Sequence, residues 1–384
     1  MTHLPLRARD GAQRPRAREA RRAVAWLSIN AEEARNAGFV EHLAVAAYPT
    51  FLVLDGATGN VALRWAGSLT APEFERLLDD GERAVAASGV GSPADAALAR
   101  ADRLGAEKKT AEAAAAYTEA LRLAPAAWAG RGRALASLLA ALQKSGDLEQ
   151  CAALSRRETP ALTRGPAFAG AAAAGLQCAV DAPETAAWRD PAIKDLETLV
   201  VESLALDNVL ADDRSSAYGM LVDLRDARGD QAGAKEMAGR WLSFLENQAA
   251  AAGRVEARAA FDSHRVAAAL ALGDPARAVP ALLASERDLP DDYNPPARLA
   301  ILYRELGRFD EALAASRRAL DLAYGARKLR IFDTRADIYT KMGDPAAAKR
   351  TLEEGLAYAD SLPRSQRPEA FIAQLRKKAA AIGS

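Results

Sequence analysis

The stretch PPARLAILYRELGRFDEALAASRRALDLAY, residues 295–324, decides the fold of this chain. Its first half places apolar residues at i, i+3, i+4 and i+7 from Leu299, which predicts one face of a helix. Gly307 then ends that helix, because glycine readily adopts the left-handed conformation found at helix ends. A second helical pattern follows, in which Ala312 and Ala319 allow close packing. One hairpin cannot bury both apolar faces, so neighbouring hairpins are expected.

The same turn recurs along the chain at Gly146, Gly229, Gly273, Gly307 and Gly343. The last four are separated by 44, 34 and 36 residues. With the spacing of alanine, tyrosine and proline over residues 113–125, this pattern resembles the tetratricopeptide repeat, whose period is about 34 residues. The resemblance is good over 255–360, fair over 100–158 and weak between these ranges. The weak interval has room for either a degenerate repeat or inserted helices. An unrelated helical bundle is the alternative.

The resemblance implies that the first helix of each hairpin lines a groove for a protein or peptide partner. Carried over by position, two successive repeats supply the candidate groove residues. They are Asn294, Ala297, Ile301 and Arg304 in one repeat, and Arg330, Asp333, Asp337 and Lys341 in the next. This mixed set differs from the basic set with which some family members hold a peptide's C-terminal carboxylate.

Residues 24–87 show a different pattern, with short apolar runs and turns. Strands are predicted at 24–29, 51–54 and 61–65, and helices at 31–43 and after Ser68. The segments YPTFLVLD, GNVALRWAG and EFERLL make this region resemble the C-terminal two-thirds of a thioredoxin fold. The resemblance implies a cis proline at Pro49, with Tyr48, Pro49 and Thr50 contacting a bound peptide.

The sequence departs from that family at the position of the reactive cysteines. The place of the Cys-x-x-Cys motif is taken by residues 11–22, which contain no cysteine, and the strand before it is missing as well. We therefore expect no dithiol–disulfide exchange of the family's kind. The sheet is expected either to close, with the 24–29 strand pairing with the 51–54 strand, or to keep an exposed edge.

Composition excludes several classes of function. Lysine plus arginine equals aspartate plus glutamate, at 51 each, so no overall field favours nucleic acid or an anionic membrane. Cys151 and Cys178 carry no disulfide or metal pattern and are predicted to be two semi-buried thiols. The three histidines are scattered. We expect no catalytic residues, no metal and no cofactor.

The expected organisation has four parts: a disordered basic leader at 1–23, a partial thioredoxin-like domain at 24–87, a linker at 88–98 and a tetratricopeptide-repeat domain at 99–384. No apolar run reaches the ~18–20 residues of a membrane span, and the arginine-rich start lacks the apolar core of a secretory signal. The sequence does not indicate the cellular compartment of the protein. The predicted fold class is mostly α, a solenoid of helical hairpins preceded by a partial α/β fold.

The predicted function is a non-catalytic scaffold for protein–protein interaction. One alternative is a thioredoxin-family disulfide oxidoreductase, active in cell redox homeostasis, whose dithiol is missing from this chain or supplied by a partner. A further alternative is a repeat adaptor whose first 87 residues are inert.

Overall fold

The computed structural model describes residues 24–30, 34–43, 49–66, 69–86, 92–125 and 127–382. These residues are mostly helical, with one small sheet. The chain divides into two compact units, with the boundary between Ala217 and Tyr218. Each unit is described by itself below.

The first unit begins with a short α/β segment. A single 3-10 turn at Ala34–Asn36 precedes the first helix. The elements of this segment are α1 (Ala37–His42), β1 (Thr50–Leu54), β2 (Val61–Ala66) and α2 (Ala71–Ala86).

The α-helices of the remaining described residues follow. They are α3 (Pro93–Ala106), α4 (Thr110–Leu123), α5 (Arg131–Ser145), α6 (Leu148–Glu158), α7 (Pro166–Asp181), α8 (Arg189–Ser203), α9 (Ala211–Ala227), α10 (Gln231–Ala250), α11 (Val255–Ala259), α12 (Asp262–Leu272), α13 (Val279–Asp288), α14 (Asn294–Glu305), α15 (Phe309–Leu322), α16 (Arg327–Lys341), α17 (Pro345–Ser361) and α18 (Glu369–Ala381). Among the described residues, no helix is long and apolar enough to cross a membrane.

The strands β1 and β2 form an antiparallel hairpin with Phe51 opposite Trp65. Helix α2 packs on one face of the hairpin, where Gly81 lies so close to Val53 that an added Cβ would stand 2.7 Å from a valine methyl carbon. Leu63 and Leu77 are buried in the small core between them. An isolated two-stranded hairpin is marginally stable in water, so this helix is needed to hold it.

The predicted strand at 24–29 is wrong. Residues 25–30 belong to no strand, and the sheet of the described residues has two strands. Trp26 instead packs its ring against Phe74, with centroids 5.4 Å apart, and stays about half exposed. The predicted closure of the sheet by this strand is therefore not seen. The finding leaves a small α/β segment and does not show a thioredoxin fold.

A buried carboxylate lies at the free edge of β2. The backbone of Arg64 hydrogen-bonds to Asp102 of α3, which is fully buried. Asp102 also accepts a 2.8 Å hydrogen bond from the Tyr117 hydroxyl and pairs with Arg133 at 2.5 Å. Because an unpaired strand edge invites aggregation, this contact protects β2 and ties the α/β segment to the first helical hairpin.

The glycine turns confirm the repeat pattern of the sequence. Gly146, Gly229, Gly273, Gly307 and Gly343 all have φ between 71° and 82°. This left-handed conformation is costly for residues with a Cβ. The region between the first two of these glycines contains α7 and α8, which fit either a degenerate repeat or inserted helices.

An aspartate follows four of these five glycines, and it caps the next helix in only some of the turns. Asp230 accepts from the backbone N–H of Gly233, and Asp344 accepts from that of Ala347 at 2.8 Å. Asp147 and Asp274 make no side-chain cap. Asp147 instead accepts from the Ser145 hydroxyl. The aspartate side chain thus caps the next helix at two of these turns and not at the other two.

The two cysteines form a disulfide, so the prediction of two semi-buried thiols is wrong. Cys151 of α6 and Cys178 of α7 are joined by an S–S bond of 2.04 Å, and both are fully buried. Their spacing carried no signal because they approach only through the antiparallel packing of two helices. The second helix lies in the interval where the repeat pattern was weakest.

Candidate functional site

The first helices of the last hairpins lie side by side in the second unit. They are α14 and α16, followed by α18 at the C-terminal end. We call their shared polar face the first-helix surface. It is defined by the eight predicted groove residues together with Glu305, Phe371 and Lys378.

Four of the eight predicted residues are brought together in one ion-pair network. Arg304 of α14 donates to Asp337 of α16 at 3.2 Å, and Lys341 of α16 donates to Glu305 at 2.6 Å. Arg304 also pairs with its neighbour Glu305 at 2.8 Å. The network therefore joins equivalent turns of two successive first helices.

Helix α18 extends this network. Its Lys378 contacts both Asp333 and Asp337 of α16. The three cations Arg304, Lys341 and Lys378 thus face three carboxylates. This part of the first-helix surface is electrically balanced without a ligand.

The network shifts the pKa values of its members. Burial raises the pKa of Glu305, but hydrogen bonds from Lys341 and Arg304 outweigh it, so the net pKa is lowered. Burial lowers the pKa of Lys378, and hydrogen bonds to Asp333 and Asp337 reverse this, so its net pKa is raised. Both groups are held in their charged forms at neutral pH.

The remaining predicted residues of the first-helix surface have different surroundings. Asn294 donates through its backbone and its side chain to Asp292, at 2.9 and 2.7 Å, and so helps to start α14. Ala297 packs against a core cluster formed by Ala319, Ala323 and Ile331. The Ala297 side chain is thus partly in the core.

Ile301 is half-buried, whereas Arg330 is exposed. The Arg330 guanidinium lies over the Phe371 ring, 5.1 Å from its centroid. Arg330 is therefore an exposed cation of the predicted set that contacts an aromatic ring.

Three members of the surface were missed by the sequence analysis. Glu305 directly follows a predicted residue, but the repeat pattern gave no reason to choose it. Phe371 and Lys378 lie in α18, after the last glycine turn. The buried residues Ile372, Leu375 and Ala379 at helical spacing were the available signal for that helix.

The second predicted site lies at the start of β1. Pro49 is exposed, and Thr50 is half-buried opposite Ala66. Tyr48 lies outside the described residues, as does the basic leader at 1–23. The structure therefore places two of these three residues at the start of the sheet.

The described part of the chain contains no group of three or more histidine, cysteine or carboxylate side chains able to hold a metal ion. His264 packs edge-on against Trp241, with centroids 6.3 Å apart. The most buried charged pair of the second unit, Asp262 with Arg265 at 3.0 Å, lies at the start of α12.

Antiparallel helical hairpins closed by left-handed glycines, with their first helices side by side, define a helical-repeat protein. Residues 293–361 match the family model of the tetratricopeptide repeat. The chain thus carries tetratricopeptide repeats over this range, which includes the hairpins α14–α15 and α16–α17. No curated protein matches the chain in sequence.

Solved structures of other repeat proteins resemble this chain loosely. A tetratricopeptide repeat protein from Parabacteroides merdae is 14% identical, with 76% of this chain and 100% of that chain covered and a TM-score of 0.46. Yeast Tom70 is 14% identical, with 77% and 60% covered and a TM-score of 0.41. The TPR2AB domain of yeast Sti1, solved as a complex with pHSP90, is 18% identical, with 76% and 100% covered and a TM-score of 0.28. These superpositions are too loose to transfer a binding site.

Proposed function

We propose that this chain is a non-catalytic interaction module that binds a protein or peptide partner on the first-helix surface. The observation that carries this proposal is the alignment of polar side chains across successive first helices. Arg304 reaches Asp337, Lys341 reaches Glu305, and Lys378 reaches Asp333. These contacts hold polar side chains of three helices together in one accessible surface.

The apolar faces of the same helices are already used within the fold. Leu299, Leu302 and Leu329 are fully buried, whereas the first-helix surface is half-buried or exposed. A partner can therefore bind there without opening the core. The proposed function needs no cofactor, and the repeat architecture supplies the surface.

Site-specific photo-crosslinking tests this proposal. A photoreactive amino acid is placed at Ile301 or at Arg330, and the full-length protein is irradiated in an extract of its source cells. Crosslinked products that are shared by both positions support the proposal. The matched control is Arg317, an exposed residue of the second helix α15. The proposal would be contradicted if Arg317 gave the same crosslinked products, or if Ile301 and Arg330 gave no crosslinked product.

Pro49 is a second candidate contact for the partner. It is exposed at the start of β1, in front of a strand whose side chains Phe51 and Val53 face the small core. The test places the photoreactive group at Pro49. A crosslinked product shared with Ile301 favours a partner that contacts both units, and no product favours a role for the repeats alone.

The oxidoreductase alternative has no support in the cysteine chemistry of this chain. Its two cysteines are bonded to each other and fully buried. Thiol–disulfide exchange requires an accessible thiolate that attacks a disulfide sulfur. We therefore favour the interaction module.

A further inference from the structure

The disulfide between Cys151 and Cys178 lies where a reagent in solution cannot reach it in the folded protein. It joins α6 to α7 over a sequence separation of 27 residues. Both cysteines are fully buried, and the chain contains no others. The agent that oxidised them must therefore have acted before these two helices closed on each other.

The seam between α6 and α7 leaves no room beside the bond. Ser155 of α6 is fully buried, as are Ala172 and Ala179 of α7. A Cβ added to Gly175 of α7 would stand 2.2 Å from the Ser155 hydroxyl oxygen. Residues 151 and 155 are four apart on α6, and 175 and 178 are three apart on α7, so this close approach lies on the same helix faces as the two sulfurs. Helices packed this closely exclude a thiol reagent from the bond.

A third helix packs on the same seam. Ile193, Leu196 and Val200 of α8 are fully buried at helical spacing. A methyl carbon of Leu196 would stand 3.1 Å from a Cβ added to Gly175. The contact places α8 directly against α7 at the turn next to Cys178. Oxidation of the cysteines therefore also precedes the packing of α8.

Formation of the bond needs an oxidant that accepts two electrons. In thiol–disulfide exchange, a thiolate attacks an accessible disulfide sulfur and expels the other sulfur as a thiolate. One cysteine of the chain forms a mixed disulfide with the oxidant in this way. The thiolate of the other cysteine then attacks the first cysteine's sulfur, which closes the bond and releases the reduced oxidant. The two cysteines lose two electrons and two protons, and the oxidant takes up both.

The two cysteines can meet before the rest of the chain has folded. They lie on consecutive helices, joined by the short connection 159–165. The entropy cost of closing a loop rises with its length, so the short loop between these cysteines closes more readily than the contacts between distant helices. An open α6–α7 hairpin therefore presents both thiols to an oxidant at an early stage of folding.

The redox state of the surroundings decides whether this bond is made. Disulfides form and persist in oxidising compartments and are rare where glutathione and thioredoxin keep thiols reduced. In a reducing compartment, Cys151 and Cys178 would stay thiols while the hairpin is open, and the helices would then close over them. The bond in the folded protein thus records the conditions under which the chain folded.

We propose that a disulfide-bearing oxidant joins Cys151 to Cys178 while the α6–α7 hairpin is open, and that the protein matures in an oxidising compartment. This inference is independent of the proposed function, because the first-helix surface lies on other helices. It adds a maturation step that must precede the interaction, and it names the class of reaction that supplies the bond.

Trapping of thiols in the source cells tests the compartment. The cells are quenched with acid, the full-length protein is denatured, and its free thiols react with a maleimide that carries a polyethylene glycol chain. We expect no added mass without prior reduction and two additions after reduction. The variant Cys178→Ala, which has one cysteine and cannot form the bond, is the control and should show one addition after reduction. Two additions to the native chain without prior reduction would overturn the proposal.

Refolding of the purified full-length protein tests the order of the steps. The reduced chain is unfolded in urea, and oxidised glutathione is added either before or after the urea is removed. The bond is expected to form at least about tenfold faster in the open chain, because exchange needs accessible thiolates. Maleimide trapping at intervals measures the rate, and circular dichroism shows whether the reduced chain has folded before the later addition.

The outcomes of this second experiment are distinct. Equal rates for the two additions would refute the proposed order, since the closed helices would then admit an oxidant. A reduced chain that does not refold until oxidised glutathione is added would support the order, because the bond would then be required for closure.

Discussion

At the scale of single residues, the buried Asp102 carboxylate of the first unit links the α/β segment to the helices that follow it. Asp102 is the acceptor for Tyr117, for Arg133 and for the backbone of Arg64. Burial raises the pKa of Asp102, and the charge and hydrogen bonds of Arg133 act against this rise. Burial and the Asp102 carboxylate likewise raise the pKa of the Tyr117 hydroxyl.

Asp102→Ala should therefore destabilise the first unit strongly. It leaves Arg133, whose side chain is 13% exposed, without its carboxylate. Removing one partner of a buried ion pair costs about 3–5 kcal/mol. Urea unfolding followed by circular dichroism measures the change, with Glu112→Ala on the exposed face of α4 as control. A loss no larger than that of the control would show that the carboxylate is dispensable.

The turn glycines allow a second test at this scale. Gly307 has a φ of 71° and no neighbouring atom within 4 Å of an added Cβ. Gly307→Ala is therefore expected to cost about 1–2 kcal/mol through backbone strain alone. Gly253 also has free space but an ordinary φ, so Gly253→Ala should be neutral or slightly stabilising. Thermal unfolding compares the two variants, and equal effects would contradict the strain argument.

At the scale of elements, local signals in the sequence were reliable and long-range ones were not. The glycine turns were predicted because one residue and its φ determine each of them. The Cys151–Cys178 disulfide and the Lys378 contacts were not, because they join different helices. The strand at 24–29 failed for a related reason, since strand formation depends on a neighbour and not only on an apolar run.

In the candidate site, too, local sequence patterns were predictable and contacts between helices were not. Repeat offsets predicted that Arg304, Asp337 and Lys341 share a surface, and the structure brings them together. The offsets could not predict that these charges satisfy each other. They also assigned Ala297 to a groove, although it packs against a core cluster.

The network across α14, α16 and α18 makes a pH-dependent contribution to stability. The folded-state pKa of Glu305 lies below its ordinary value of 4.5, so its contribution is present above that pH and is lost as pH falls through the folded pKa. The folded-state pKa of Lys378 lies above 10.5, so its contribution is present below 10.5 and is lost as pH rises further.

Glu305→Gln should therefore lower stability between about pH 5 and 9, and this effect should disappear as pH falls through the lowered folded-state pKa of Glu305. The expected loss is about 0.5–1 kcal/mol, because solvent screens these partly exposed pairs. Hydrogen exchange of α14 and α16 at several pH values measures it. Glu353→Gln, an exposed change in α17, is the control. A loss that is independent of pH would show that packing and not charge is responsible.

At the scale of the whole molecule, the state of the two cysteines separates an interaction module from a redox enzyme. The chain contains no other cysteine, and burial of the disulfide denies an attacking thiolate access to its sulfurs. We expect the full-length protein to show no thiol-dependent reduction of insulin.

The control for that assay is the double variant Cys151→Ala, Cys178→Ala, which cannot exchange disulfides at all. Loss of the cross-link is expected to destabilise this variant by about 2–4 kcal/mol, so both proteins are compared at a temperature where circular dichroism shows them folded. Identical background rates would agree with a disulfide that is purely structural. Insulin reduction by the native protein above the rate of the double variant would show that the buried bond opens in the folded state, and the oxidoreductase alternative would then displace the interaction module.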